Sequence, residues 1–128
     1  MSSTVFSAII KCNFKGMLTT EKRDNIDFIT FSVAKINALN ADEIREKIMK
    51  VFESPNSKLL ISLSGVEYID SSGFGCFLSA MKVARNNYGI LKFCCLSPEV
   101  ISVFETLHLH TIFEIYTDIE QGIKSFKN

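Results

Sequence analysis

The chain has 128 residues, enough for one domain with a real core, and its 47% hydrophobic content excludes a disordered polymer. Fourteen Lys plus Arg balance fourteen Asp plus Glu, so the formal charge is zero and there is no electrostatic footprint for nucleic acid or an anionic membrane surface. Four cysteines (Cys12, Cys76, Cys94 and Cys95) contain no C-x-x-C pair, which leaves out zinc knuckles and thioredoxin-type redox motifs.

Residues 1–16 fall outside the alternating pattern of the rest. Their "VFSAII" run is too short for a signal-peptide core or a bilayer span, and the chain is expected to be soluble and cytoplasmic. An extra strand or short helix packed on the domain is the expectation for this extension, and the sequence assigns it no role. A weak strand over Gly16–Arg23 leads to a turn at "RDN", then to "IDFITFSV", whose alternation and β-branched and aromatic content predict a strand. "NADEIREKIMKVF" has helical spacing at Ile44, Ile48, Val51 and Phe52, with Asn40 as the expected N-cap and Glu43 three residues on. "SPNS" ends that helix.

"KLLISLS" is a nearly continuous apolar run, as in a strand covered on both faces. "FGCFLSAMKVARNNY" returns to helical period, with a stripe of Phe74, Phe77, Leu78, Met81 and Ala84. "GILKFCCL" reads as another buried strand, in which Cys94 and Cys95 would point to opposite faces and not bridge. "SPEVISVFETL" places Ser97 at an N-cap and Pro98 at the first helical position, before a stripe of Val100, Ile101, Phe104 and Leu107. "TIFEIY" predicts a strand and "DIEQGIKSFK" a closing helix capped by Asp118. After a first hairpin the order is β-α-β-α-β-α-β-α. This is an α/β domain over residues 17–128: a mixed, mostly parallel sheet with about four helices packed against it and right-handed crossovers.

In such folds partners and ligands meet the loops after the carboxyl ends of the strands, and "VEYIDSSGFGCF" is such a loop. From the residues alone three readings of Asp70, Ser71, Ser72 and Gly73 stay open. Asp and Ser are preferred helix caps, and Gly73 permits close packing or an unusual dihedral. A catalytic serine is the second reading. It lacks the G-x-S-x-G elbow, and the only histidines, His108 and His110, lie in "TLHLHT" with no third metal ligand. The third reading is a serine that carries a signal. A phosphate at a helix N-terminus meets backbone N–H groups and the positive end of the helix dipole, and adds a charge of about −1.5 to −2.

"NALNADEIREKI", "LLISLSGVEYIDSSGFGCFLSA" and "LKFCCLSPEVISVFETLHLHTIFEIYTDIEQGI" together resemble the STAS domain of bacterial anti-anti-sigma factors, over roughly Met17 to Phe126. The D-S-S-G element after a hydrophobic strand is the most specific part of that resemblance. The resemblance implies a non-enzymatic partner-switching module, an anti-sigma factor antagonist. The partner is an anti-sigma factor that is also an ATP-using, magnesium-dependent serine kinase; it phosphorylates the serine directly after the Asp, here Ser71. The unphosphorylated domain binds the kinase and frees its sigma factor, the phosphorylated domain lets go, and a PP2C-type phosphatase resets the system. This chain would hold no cofactor or metal. Asp70, Ser71, Ser72, Gly73 and Phe74, with Asn37, would meet the partner. The chain departs from the family pattern at Ala34, in place of Gly; at Asn37, in place of an acid; and at Phe74, in place of Leu. A monomer or weak dimer is expected. The alternative is a STAS scaffold or sensor without phosphorylation, binding another protein or a small ligand, which predicts oligomerisation or a ligand pocket. A small hydrolase relying on His108 or His110 is the reading from a different class.

Overall fold

The computed structural model describes residues 17–127; the expectation for the N-terminal extension lies outside them, as does Cys12. Strands β1 (Leu18–Arg23) and β2 (Ile26–Phe31) form an antiparallel hairpin. Its two connecting residues, Asp24 and Asn25, have φ of 54° and 66°. Two left-handed residues in a row match the twist of the flanking strands, and Asp and Asn tolerate that conformation best after glycine. Then come β3 (Lys35–Ile36), α1 (Ala41–Val51), β4 (Lys58–Ser62), β5 (Tyr68–Ile69) and α2 (Ser71–Asn86). The chain continues with β6 (Ile90–Cys94), α3 (Pro98–Thr106), a single 3-10 turn (Leu109–Thr111), β7 (Glu114–Tyr116) and α4 (Ile119–Phe126).

The main sheet has the order β1-β2-β4-β6-β7, and every pairing after the hairpin is parallel. The expected α/β arrangement, mixed and mostly parallel with four helices, is therefore present among the described residues. The continuous apolar run of β4 has its predicted cause. Leu59 and Ile61 join the larger core, shared with Ile44, Ile48, Phe77, Phe93 and Phe104, whereas Leu60 turns to a smaller one with Ile26, Phe28 and Phe126. Helices α1, α2 and α3 cover one face of the sheet and α4 the other.

Several local readings change. Asn40 precedes α1, but its side chain makes no forward cap; Oδ1 accepts from Asn37 N–H at 2.9 Å and Nδ2 donates to the Lys35 carbonyl at 3.0 Å. Its polar groups are spent on the preceding loop. On α2 the buried face is Gly73, Phe74, Cys76, Phe77, Ala80 and Ala84, while Leu78 is 39% exposed. The stripe is rotated toward small residues because α2 packs close against the sheet and α1. On α3 only Val100 and Phe104 are buried; Ile101 and Leu107 face outward. The last strand is three residues long because Thr111 belongs to the 3-10 turn. Cys95 lies beyond the end of β6 with φ of 66°, so the strand alternation that would separate it from Cys94 stops there.

Candidate functional site

The loop before α2 is held by a second, two-stranded sheet that the sequence does not announce. β3 and β5 pair in parallel, Lys35 opposite Tyr68 and Ile36 opposite Ile69. The Ala34 carbonyl accepts from Glu67 N–H (2.7 Å) and Tyr68 N–H (3.1 Å), and the Ile36 carbonyl accepts from Asp70 N–H (3.0 Å). These bonds fix where α2 begins. Asp70 is its N-cap, in extended backbone, and Oδ1 accepts from Gly73 N–H at 3.1 Å. One orphan donor of the first turn is thereby satisfied, and a negative charge sits at the positive end of the helix. The cap reading and a signalling role are not exclusive: Asp70 does the capping and leaves both serines outside.

Ser71 is the first helical residue, and both Ser71 and Ser72 are exposed. The first turn after the cap contains no acidic side chain. Gly73 is buried, and a β-carbon there would lie 2.6 Å from Ile69 Cγ2 and 2.8 Å from Ile36 Cγ2. The closeness it permits is internal, between helix and small sheet. Phe74 is 7% exposed and packs edge-on against Phe104, ring centres 5.4 Å apart. It forms the floor of a shallow apolar depression of about 260 Å³, walled by Tyr68, Val100 and Val103 with Glu67 and Glu99 at its edges. Asn37 organises the β3–α1 loop: its Oδ1 accepts from Leu39 N–H at 2.9 Å and its carbonyl accepts from Ala41 N–H at 2.9 Å. The bend leaves the Leu39 side chain 95% exposed.

The two serines differ in surroundings. Ser72, with Gly75, Cys76 and Ser79, lines a groove of about 390 Å³ whose other wall is Ala38 from the β3–α1 loop and Ala41, Asp42 and Arg45 from the start of α1. Arg45 pairs with Asp42 at 3.0 Å, both well exposed. Sequence reasoning passed over this groove. Its signal is the run of small residues Ser72, Gly75, Cys76 and Ser79 at three- and four-residue spacing, which puts them on one face of α2. His108 and His110 flank and enter the 3-10 turn that precedes β7. That turn is at the amino end of a parallel strand, whereas α2 starts at the carboxyl end. The imidazoles and the two serine hydroxyls are thus at opposite ends of the sheet, and no Ser–His pair forms. Among the described residues no group of three or more His, Cys, Asp or Glu side chains is placed to hold a metal ion, and no helix is long and apolar enough to cross a membrane.

Residues 17–122, which include the Asp-Ser-Ser-Gly start of α2, match the family model described as the STAS domain. The chain belongs to the STAS domain family. Among curated STAS proteins it is 30% identical over 108 residues to the anti-sigma-B factor antagonist of Bacillus subtilis (strain 168), spanning 84% of this chain and 98% of that protein. Among solved structures, an anti-sigma-factor antagonist (STAS) domain protein from Planctomyces limnophilus superposes with a TM-score of 0.80 at 17% identity, covering 87% of this chain and 98% of that one. The phosphorylated form of the Bacillus cell fate determinant SpoIIAA superposes with a TM-score of 0.64 at 18% identity, covering 85% and 98%. At such identities the structural likenesses establish the STAS fold alone.

Proposed function

We propose that this protein is a cytoplasmic, non-enzymatic anti-sigma factor antagonist that binds an anti-sigma factor serine kinase through the start of α2 and is released when Ser71 is phosphorylated. The observation that carries this reading is the position of Ser71: exposed, first in the helix, beside a cap supplied by Asp70 and not by the serine itself. A phosphate there leaves the cap intact and gains from the helix dipole, while its charge and bulk change the surface that a partner meets. The kinship with a named anti-sigma-B factor antagonist supports the assignment of partner class. The kinase supplies ATP and magnesium, a PP2C-type phosphatase removes the phosphate, and this chain is the substrate of both. Asp70, Ser72, Gly73, Phe74 and Asn37 shape the contact surface. The apolar depression over Phe74 favours one other reading, a STAS sensor that takes a small apolar ligand without phosphorylation.

Site-mapped mass spectrometry of the protein recovered from its own cells, through growth and stress, tests the switch. One phosphate on Ser71 that varies with condition is expected; phosphate confined to Ser72, or none under any condition, would overturn it. With the purified kinase, Ser71→Ala should bind as tightly as the unmodified protein and Ser71→Glu at least tenfold more weakly. Ser71→Glu should nevertheless gain about 0.3–1 kcal/mol of folding stability, read from urea unfolding, because it adds an acid to a first turn that has none.

A further inference from the structure

Cys94 is the last residue of β6 and Cys95 follows it in left-handed backbone, φ 66°. That conformation is uncommon for a residue with a β-carbon. It is held here by Cys95 N–H, which donates to the Tyr116 carbonyl at 3.2 Å, and by the Cys94 carbonyl, which accepts from Leu63 N–H at 3.0 Å. The result is that two neighbouring thiols, which an extended strand would separate, face each other with sulfurs 3.3 Å apart. Both are free; Cys94 is fully buried and Cys95 half-buried.

We propose that Cys94 and Cys95 are a reversible oxidation site, closing to a vicinal disulfide when the protein meets a hydroperoxide. Cys95, the less buried of the two residues, attacks a peroxide oxygen. The O–O bond breaks, the alcohol or water leaves, and Cys95 becomes a sulfenic acid. The Cys94 sulfur then attacks the Cys95 sulfur, the S–O bond breaks, and the departing hydroxide takes up the Cys94 proton as water. In sum two thiols lose two electrons and two protons, and one hydroperoxide becomes one alcohol and one water. Burial raises the Cys94 thiol above the usual range, so it waits protonated and the first step falls to Cys95.

Reversibility follows from geometry. A trans peptide fixes adjacent Cα atoms about 3.8 Å apart, shorter than the ~4.4–6.8 Å that an unstrained disulfide spans. Strained disulfides are the readily reduced ones. The site is also connected. Two residues on, Ser97 Oγ donates to the Val66 carbonyl at 3.3 Å and accepts from Val100 N–H at 3.3 Å. Reorienting the 94–95 peptide therefore moves an anchor of the segment that leads to Asp70.

The test is to oxidise the reduced full-length protein with graded hydrogen peroxide, block remaining thiols with N-ethylmaleimide and map the tryptic peptide Phe93–Lys124. Its label count should fall from two to zero with loss of two hydrogens, and reduced glutathione should restore both labels. Cys94→Ser should stop at a sulfenic acid on Cys95 that dimedone traps, and Cys76→Ser should behave as the parent. Retention of both labels, addition of oxygens without a disulfide, or cross-linking to Cys12 or Cys76 instead would each overturn the proposal. The parent-protein measurement stands whether or not the variants fold.

Discussion

A β-carbon on Gly73 would press within 2.8 Å of two branched isoleucine methyls, whereas one on Gly75, two residues further along the same helix, would meet nothing within 4 Å. Alanine is favoured over glycine in a helix interior by about 1 kcal/mol. At Gly75 that gain is free, so Gly75→Ala should stabilise by about that amount. At Gly73 overpacking of about 1–3 kcal/mol outweighs it, and Gly73→Ala should be destabilised on balance by about 1 kcal/mol. Denaturant midpoints of the two variants should move in opposite directions; midpoints that move together would refute this account of Gly73. Residue-level chemistry was legible where a short polar side chain had one local task. Ser97 and Asp118 cap their helices as their spacing predicts, with Oγ and Oδ1 accepting from Val100 and Gln121 N–H. It was not legible at Asn40, whose amide has two competing backbone partners behind it, or at Cys95, whose dihedral is set by where β7 offers a carbonyl. Only the second cause is distant in sequence: Lys35 and Asn37 stand just before Asn40, on the side that a forward cap pattern does not read, whereas Tyr116 lies a whole helix beyond Cys95.

Among the elements, α4 is attached to the sheet by its apolar face and by one unusual residue. Lys92 lies in β6 and is 6% exposed. Its Nζ donates to Ser125 Oγ at 2.8 Å and to the Ser125 carbonyl at 3.3 Å, lies 4.6 Å from the centre of the Phe126 ring, and is 3.5 Å from Glu114 Oε1. A buried ammonium is tolerated because these groups replace its water. Lys92→Met keeps the apolar stem and removes the charge, so it should cost about 2 kcal/mol. Hydrogen exchange should quicken across Ile119–Phe126 while α2 keeps its protection; uniform loosening would show that Lys92 is not specific to α4. The four helices and the longer strands were readable because each repeats its period over several turns or alternations. β3 and β5, two residues each, are too short to carry a period. They exist because the Ala34 and Ile36 carbonyls find donors more than thirty residues away, and with them went the reason for the placement of Asp70.

For the molecule as a whole, alkaline pH is the condition that engages its buried thiols. Burial pushes the Cys76 thiol up to about 11 from an ordinary value near 9, and Cys94 is raised as well. Between those values the unfolded chain has lost the Cys76 proton and the folded chain has kept it, so the native state binds more protons and stability falls as pH rises. The unfolding free energy of the parent relative to Cys76→Ala should be level below about pH 8 and should decline from there to about pH 11; a flat difference would contradict the burial argument. The sheet order has a further consequence, for the chain during its synthesis. β4 is added beside β2, β6 beside β4 and β7 beside β6, each on the same growing edge and in the order in which it is made. Nothing has to be inserted between strands already paired, so the nascent domain can enlarge stepwise as it leaves the ribosome. The two halves of the site are then finished at different times. The start of α2, with Ile36, Asp70 and Gly73, is complete once Asn86 has emerged, while the apolar floor beneath Phe74 waits for Phe104 to arrive with α3.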